Sequence, residues 1–435
     1  MSEHSSGDYH SAPDTILSAP PGCPVHQSWS PLSPDYLADP YPIAAKLRED
    51  HPVFYAEEVG YVVVTRMEDI EHVFTNPEIY QSTNVQDPLY PLAPEATEIL
   101  GAPDFDPVAV MSNRPEPDHG RIRVFTRKGF SNRRLKTLED YMRDRAVDLI
   151  DHMLTAGNES GTKRAEYVKA LAFPLPAEIV FRFIGFPRED DTMIKSWCVD
   201  RKAFSWGKPT PEQQVDIAEQ MVTYWRYCRE FTARRRDERQ DDFASELLDA
   251  HDVDPDALSY REVESIIYGL SFAGHDPVTN LLCNTLLCLL PRRDQWDALV
   301  ADPSLIPNAV EETLRYESSQ IAWRRVTTTD TTLGGVELPA GTRIFLNFAA
   351  ANRQPETFAE PNTFDIFRPN ANQHISFGKG IHFCLGAGLS KMEARIALEV
   401  LTSTVPSLRL ADTQDLSVFP NITFRGPEQL AVEWD

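Results

Sequence analysis

One cysteine of this 435-residue chain lies in a glycine-rich loop immediately before a helical pattern. Residues 377–386 read FGKGIHFCLG, and the helical pattern begins near Gly386. Glycine permits backbone turns that other residues resist, and it lets the chain approach a flat ligand closely. Backbone N–H groups of the loop and of the helix start point towards the Cys384 sulfur and stabilise a thiolate. The loop therefore predicts a thiolate that faces a flat ligand.

The spacing F-G-x-G-x-H-x-C-x-G resembles the haem-binding loop of the cytochromes P450. The resemblance implies that Cys384 is the axial thiolate ligand of the haem iron, and that Phe377, His382 and Gly386 contact the cofactor. Such a thiolate pushes electron density onto the iron and favours cleavage of the O–O bond. A lone cysteine in a turn is more often a buried structural residue, but three further motifs agree with the family.

The first of these motifs is a pair of opposite charges, Glu312 and Arg315, which share one helix face at positions i and i+3. On its own, this spacing usually marks a solvated surface pair that contributes little. Its place before the cysteine loop resembles the family's K helix, where the pair is buried and meets a later arginine. Arg368 matches that arginine. The implied role of the three residues is structural, because they hold the proximal side of the haem.

The second motif places His119 and Arg123 at positions i and i+4 of one helix face. This H-x-x-x-R resembles the C-helix motif with which the family holds the haem propionates. Arg325 matches the arginine on the strand after the K helix, and His382 completes the set. The resemblance thus implies four cationic or donor groups for the two carboxylates of one flat cofactor. Each of them singly could be an ordinary surface residue.

The third motif lies midway along a helical pattern from roughly residue 260 to 290. Ala273, Gly274 and Asp276 resemble the I-helix motif of the family, in which small residues leave room for oxygen and substrate beside an acid. Pro277 occupies the place of the family's threonine, whose hydroxyl organises proton delivery. Proline lacks the N–H that would bond the Ala273 carbonyl, so we expect a kink and a free carbonyl there. Two interpretations stay open: a changed route of proton delivery at this catalytic segment, or a tolerated kink.

The motifs must converge on one cofactor, so we expect residues 35–435 to form a single cytochrome P450 domain, mainly α-helical with small β-sheets. In that fold the haem lies between the long distal I helix and a proximal helix after the cysteine loop. Residues 1–34 predict a disordered or extended lead-in. The net charge of -24 argues against nucleic acid and anionic membrane surfaces as partners. No stretch approaches the roughly 20 apolar residues of a membrane span.

The resemblance implies a haem-thiolate monooxygenase with haem b, which inserts one oxygen atom of O2 into a small organic substrate by hydroxylation or by O- or N-dealkylation. Family positions beside the haem imply a substrate pocket with Phe272, Ile321, Ala322 and Phe424. Residues 205–215 resemble a segment of the branch whose members are sometimes fused to a phthalate-dioxygenase-like reductase. That branch favours aromatic and xenobiotic substrates.

No cysteine set for a 2Fe–2S cluster and no flavin-type dinucleotide loop follows Cys384, so we expect electrons from a separate ferredoxin or flavin/2Fe–2S reductase. The partner is expected at a local basic patch, formed by Arg127, Lys128, Arg133 and Arg134. We expect a cytoplasmic monomer. The alternatives are a natural-product tailoring hydroxylase, a peroxygenase driven by H2O2, a haem isomerase or dehydratase, and a non-catalytic haem sensor.

Overall fold

The computed structural model describes residues 18–198 and 200–435. Its α-helices are α1 (Pro34–Ala38), α2 (Pro40–Asp50), α3 (Met67–Thr75), α4 (Pro94–Leu100), α5 (Asp118–Gly129), α6 (Asn132–Glu159), α7 (Pro174–Ile184), α8 (Asp191–Cys198), α9 (Arg201–Trp206), α10 (Pro211–Asp237), α11 (Phe243–Val253), α12 (Tyr260–Leu289), α13 (Arg293–Ala301), α14 (Ile306–Tyr316), α15 (Phe348–Ala351) and α16 (Ala387–Thr404). Its strands are β1 (Val25–His26), β2 (Val53–Ala56), β3 (Tyr61–Val64), β4 (Tyr80–Gln81), β5 (Arg164–Glu166), β6 (Ala322–Thr327), β7 (Thr331–Leu333), β8 (Val336–Leu338), β9 (Arg343–Asn347), β10 (Arg409–Leu410) and β11 (Ala431–Glu433). The prediction of a mainly helical fold with small β-sheets is confirmed.

The largest sheet has six strands in the order β1-β2-β3-β9-β6-β4. Strands β2 and β3 form an antiparallel hairpin, β3 pairs in parallel with β9, and β9 pairs antiparallel with β6. Successive side chains of a strand point to opposite faces of its sheet. On β6, Trp323 and Arg325 therefore share one face, and Ala322 and Arg324 share the other. This alternation decides which residues of β6 reach the site described below.

The central helix is α12, which starts with a capping box. The Ser259 hydroxyl accepts a hydrogen bond from the Glu262 N–H, and the Glu262 carboxylate accepts one from the Ser259 N–H. The helix continues through Pro277 for 30 residues in all, which confirms the predicted helix. It packs against α7, α10, α11 and α16. Because its neighbours surround it, α12 carries residues 273–277 into the interior of the domain.

The cysteine loop leads directly into α16, which begins at Ala387. Gly378 and Gly380 have φ angles of 68° and 70°, a region that side chains rarely adopt. A Cβ on Gly380 would also collide with the carbonyl oxygen of Phe74. Glycine is therefore required at this position by both conformation and space. Helix α16 packs against α6, α12 and α14, which fixes the loop within the core.

The predicted lead-in, 1–34, is described from residue 18 onwards, and residues 1–17 lie outside the described residues. Within 18–34, β1 pairs in parallel with β2, so this part is extended and packed rather than disordered. Trp29 is buried and contacts Tyr36 and Phe54 edge-on. The division of the chain at residue 35 stays a prediction.

The segment between α3 and α5 is largely irregular, although it contains β4 and α4. In the described part of the chain, no helix is long and apolar enough to cross a bilayer.

Candidate functional site

A cavity of about 290 Å³ lies among the cysteine loop, α5, β6 and α12. It brings together most of the predicted site residues. From the predicted cofactor set, the cavity is lined by Arg123, Arg325, Phe377, His382, Cys384 and Gly386. From the predicted oxygen and substrate set, it is lined by Phe272, Ala273, Gly274, Pro277 and Phe424.

Cys384 lies at the cavity wall with its side chain partly exposed to that space. Its N–H donates to the carbonyl of Phe377 at 2.9 Å, which closes the loop. Burial raises the pKa of the Cys384 thiol, while the N–H groups of Gly386 and Ala387 and the Arg123 guanidinium act in the opposite direction. A metal cation reverses the net result, because a coordinating thiol is deprotonated outright. The sulfur thus has the surroundings of a metal ligand with stabilising N–H groups.

Arg325 is a cation buried at the edge of this cavity, with 2% of its surface exposed. Its guanidinium donates to the carbonyl of Arg324 at 2.7 Å and lies over the ring of Phe74. Burial lowers the pKa of Arg325 to about 9. Within residues 18–198 and 200–435, no carboxylate lies within ion-pair distance of this guanidinium. Such a buried cation is costly unless an anion binds beside it.

Two histidines lie next to these arginines, with ring centroids 4.0 Å apart. His119 has its Nδ1 3.3 Å from the Glu116 carboxylate, and its buried Nε2 lacks a hydrogen-bond partner among the described residues. His382 has its Nε2 3.3 Å from the Ser82 hydroxyl. Burial, with the Arg325 charge nearby, lowers the pKa of His382 to about 2, and burial also lowers the pKa of His119. Both rings are therefore neutral and can donate a hydrogen bond from one nitrogen.

The donors around Cys384 fit a flat cofactor that carries carboxylates. Arg325 is a buried cation without an acid, and the Nε2 of His119 has no partner in the described structure. Arg123 lies between this cluster and the cysteine loop, where it donates to the carbonyl of Phe383. Haem propionates would supply the acceptors that these groups need, and the Cys384 sulfur would bind the iron.

The predicted charge pair on α14 forms a closed buried network. Glu312 and Arg315 are fully buried, and the guanidinium donates to both carboxylate oxygens at 2.7 Å. Arg368 donates to the same carboxylate at 3.1 Å, and the N–H of Asp365 donates at 2.9 Å. The two guanidinium groups therefore share one carboxylate, and their other N–H groups donate to backbone carbonyls. The arrangement matches the structural role expected of these residues.

Asp276 lies behind the cavity wall rather than in it, unlike its neighbours Ala273, Gly274 and Pro277. Its Oδ1 accepts from the ammonium group of Lys202 on α9 at 3.0 Å. Its buried Oδ2 has no partner among the described residues. The carboxylate thus connects the central helix α12 to α9.

Gly274 lines the cavity and also permits close packing of α12 against α7. A Cβ at this position would collide with the side chain of Val180 on α7. Helix α7 therefore approaches α12 more closely than a larger residue would permit. Sequence reasoning assigned this glycine only to the space for oxygen and substrate.

The substrate wall is only partly as predicted. Phe272 and Phe424 line the cavity, but Ile321 and Ala322 do not, although both are buried. For Ala322 the reason is the alternation along β6, whereas Ile321 lies before this strand begins and the alternation does not explain its position. If Arg325 faces the cavity, so does Trp323, two residues away, and Ala322 faces the other side of the sheet.

Two further residues of the wall were missed, and both come from α9. Trp206 stacks on Phe272 with ring centroids 5.8 Å apart, and it meets Phe424 edge-on at 5.1 Å. Arg201 also lines the cavity. The break after Trp206 is visible in the sequence, but no pattern indicates that α9 turns these side chains inward.

Glu393 on α16 is another missed residue. It lines the cavity, is fully buried, and has no hydrogen-bond partner for either oxygen in the described structure. Burial raises the pKa of this carboxyl well above its ordinary value, so it is neutral. The available signal was one carboxyl on the otherwise apolar face of α16.

The predicted basic patch is smaller than its sequence suggests. Arg127, Lys128 and Arg133 are exposed. Arg134 is committed to ion pairs with Asp241 at 2.6 Å and Glu246 at 3.7 Å. Three exposed cations therefore remain of the four.

Comparisons with known proteins agree with this geometry. The family model "Cytochrome P450" matches residues 45–404. The biotin biosynthesis cytochrome P450 of Bacillus subtilis (strain 168) is 31% identical over 93% of this chain and 99% of its own length. The cytochrome P450 monooxygenase PikC of Streptomyces venezuelae is 32% identical over 93% of each chain.

Solved structures show the same fold. The structure of cytochrome P450 CREJ in complex with (4-ethylphenyl) dihydrogen phosphate superposes with a TM-score of 0.90 at 35% identity, over 94% of this chain and 100% of that one. An intact type IV self-sufficient cytochrome P450 monooxygenase superposes with a TM-score of 0.91 at 33% identity, over 96% of this chain but 55% of that chain.

Proposed function

The chain belongs to the cytochrome P450 family, a family of haem-containing monooxygenases, and we propose that it oxidises a small aromatic substrate by hydroxylation or by O- or N-dealkylation, with haem b as its cofactor. When bound, haem supplies the redox chemistry that activates O2 for insertion into a C–H bond. In this proposal Cys384 is the thiolate ligand, and Arg123, Arg325, His119 and His382 hold the propionates.

The main support for this proposal is that the candidate iron ligand and a buried arginine lie in the same cavity. A cysteine with two N–H groups near its sulfur shares a cavity with Arg325, a buried cation without an acid among the described residues. A cofactor with a metal centre and carboxylates satisfies both the cysteine and Arg325 at once, whereas a purely structural cysteine would not account for this buried cation. We assign Phe377 and Gly386 to cofactor contact because they line the same part of the cavity.

Protons are delivered in this proposal by Asp276. Its Oδ1 is held by Lys202, and its Oδ2 has no partner among the described residues, so it can accept a proton and pass it towards the cavity. Pro277 offers neither a hydroxyl nor an N–H, and the freed Ala273 carbonyl can orient a water molecule instead. Gly274 leaves room for that water.

A small aromatic substrate suits the wall of the cavity. Trp206, Phe272, Trp323 and Phe424 form a cluster with ring centroids 5.1 to 6.1 Å apart. Flat rings favour offset and edge-on contact with such side chains. The related protein CREJ forms a complex with an aryl phosphate, which supports the same substrate class.

A natural-product tailoring hydroxylase is the second candidate. It is favoured by relatives such as PikC and the mycinamicin IV hydroxylase/epoxidase of Micromonospora griseorubida, which is 32% identical over 89% of this chain. The aromatic side chains of the wall favour the flat substrate. We propose that electrons come from a ferredoxin or a flavin/2Fe–2S reductase in trans, which docks near Arg127, Lys128 and Arg133.

The test is oxygen-isotope labelling with the purified haem-loaded enzyme and a panel of small aromatic compounds. We expect 18O from 18O2 in the product, in a reaction that requires NAD(P)H and a reductase system. Product that forms as fast from H2O2 alone would instead identify a peroxygenase, the alternative that Pro277 leaves open. Turnover of macrolides without turnover of any aromatic compound would favour the tailoring hydroxylase.

A further inference from the structure

The cavity carries positive charge at two separate places. Arg123 and Arg325 lie on the side of the cysteine loop, where the proposed cofactor accounts for them. Arg201 lies elsewhere, at the first position of α9, and it is buried, with 5% of its surface exposed. Its guanidinium stands over the ring of Tyr268 at 4.5 Å and near that of Phe272 at 5.7 Å. Phe272 is part of the aromatic substrate wall, so this third cation belongs to the substrate side.

No ionised carboxylate lines the cavity in the described part of the chain. The one carboxyl group among the lining residues there is Glu393, and burial keeps it neutral. The substrate side of the cavity thus presents one cation, Arg201, in a protein whose net charge is -24. An anionic ligand meets no repelling charge on this wall, and it gains the attraction of Arg201 in a poorly solvated space.

The geometry of Arg201 suits an acceptor oxygen. Stacking on Tyr268 uses the flat face of the guanidinium, whereas its N–H groups donate in the plane, along the edges. The guanidinium group offers only donors. A planar fork of this kind matches the paired oxygens of a carboxylate or a phosphate.

Trp206, at the last position of the same short helix, supplies a second donor. It is 1% exposed and lines the cavity, and its indole N–H has no acceptor among the described residues. A buried donor without an acceptor is costly, and a ligand oxygen removes that cost. Both donors therefore come from α9, and neither can accept a hydrogen bond.

We propose that Arg201 and Trp206 form a subsite for an anionic oxygen group, a carboxylate or a phosphate monoester, on an aromatic substrate. The ring of the substrate then packs against Phe272, Trp206 and Phe424, and its uncharged end points away from α9 into the remaining cavity. This inference rests on the proposed function, because it assumes an aromatic substrate in this cavity.

The test measures binding by the spectral shift of the ferric holoenzyme with three para-ethyl compounds of similar shape. Two are anions, 4-ethylbenzoate and 4-ethylphenyl phosphate, and one is neutral, 4-ethylbenzamide. We expect the wild type to bind at least one anion about tenfold or more tightly than the amide. The tighter anion identifies the group that the subsite takes.

In Arg201→Gln we expect the affinity for that anion to fall by about 10- to 100-fold, since a hydrogen bond to a charged group is lost, while the affinity for the amide changes by less than about threefold. Arg201→Lys keeps the charge but not the fork, so it should retain part of the preference. Trp206→Phe should lower the affinity for the anion by roughly 3- to 10-fold. The matched control is Arg226→Gln, which removes an exposed cation of α10 that is paired with Asp104 at 2.6 Å, and it should change neither affinity.

Equal affinity for anions and amide in the wild type overturns the subsite even if every variant misfolds. An Arg201→Gln variant with normal haem content and an unchanged anion preference overturns it as well. In both cases binding of the amide still supports the aromatic cavity. If none of the three compounds shifts the spectrum, the proposed substrate class fails with the subsite.

Discussion

Two adjacent arginines of β6 provide a matched pair whose replacement should have opposite effects. Arg324 and Arg325 are 1% and 2% exposed, and they face opposite sides of the sheet. Arg324 donates to the Tyr61 hydroxyl at 3.2 Å and to the carbonyls of Asp87 and Val85 at 3.0 and 2.6 Å. Arg325 donates to one carbonyl and faces the cavity. Protein acceptors therefore satisfy the Arg324 guanidinium, whereas the Arg325 guanidinium has room for an anion from a ligand.

The magnitude follows from the burial of the Arg325 cation. Burial lowers its pKa to about 9, a fall that corresponds to on the order of 5 kcal/mol against the charged form. Replacing a buried ion pair by apolar side chains of similar volume is often neutral or stabilising, by about 1–4 kcal/mol, and a lone buried cation has no partner charge whose attraction would be lost. Arg325→Met should therefore raise the free energy of unfolding of the haem-free protein by that amount.

The effect on the loaded protein has the opposite sign. If Arg325 binds a propionate, its loss removes a charge-assisted hydrogen bond of about 1.5–3 kcal/mol, so haem should leave about 10- to 100-fold faster. Arg324→Met should instead lower the stability of both forms by about 3 kcal/mol, since three acceptors lose their donor at about 1 kcal/mol each.

The assays are urea unfolding of the haem-free protein and the rate of haem transfer to excess apomyoglobin. If Arg325→Met destabilises the haem-free protein as much as Arg324→Met does, Arg325 has a protein partner and the expected stabilisation is wrong. An unchanged rate of haem transfer would show that Arg325 does not bind a propionate.

Three further predictions concern α12 and α14. Glu312→Gln should lower the stability of the holoenzyme in urea by about 3–5 kcal/mol because it leaves two buried guanidinium groups without their carboxylate. The control Glu311→Gln, at a partly exposed position, should lower that stability by about 1 kcal/mol or less. Equal losses of stability would contradict the buried network. Asp276→Asn should slow oxygen-dependent turnover by about 10²–10⁴-fold with unchanged haem content and substrate binding, so a full rate would show that protons arrive by another route. Pro277→Thr should alter the product formed per NAD(P)H consumed, since it restores a hydroxyl and an N–H; coupling equal to that of the wild type would make Pro277 a kink only.

The motif residues could be assigned from the sequence because their chemistry is local. The cysteine loop needs glycine at 378 and 380 for its backbone, and Glu312 with Arg315 forms a pair within one helix. The resemblance to the family's K helix then implied Arg368 as their partner. The long helix through Pro277 was likewise visible as a continuous apolar pattern.

The substrate wall could not be assigned in the same way because it depends on how elements face one another. Ala322 was carried over from a family position beside the haem, but the pleat of β6 turns its neighbour Trp323 inward instead. Arg201 and Trp206 lie on a helix of six residues, too short for a periodic pattern to reveal its inner face. Asp276 was assigned to the catalytic segment, yet its pairing with Lys202 depends on tertiary structure, since the two residues are far apart in the sequence.

The role of Cys384 is tested most directly by the absorption spectrum of the reduced CO complex, in the wild type and in Cys384→His. We expect a Soret band at the red-shifted position of thiolate-ligated haem in the wild type, and a shift to the position of imidazole-ligated haem in the variant. A wild-type band already at the imidazole position, or a band that Cys384→His leaves unchanged, would contradict the assignment of Cys384 as the haem ligand.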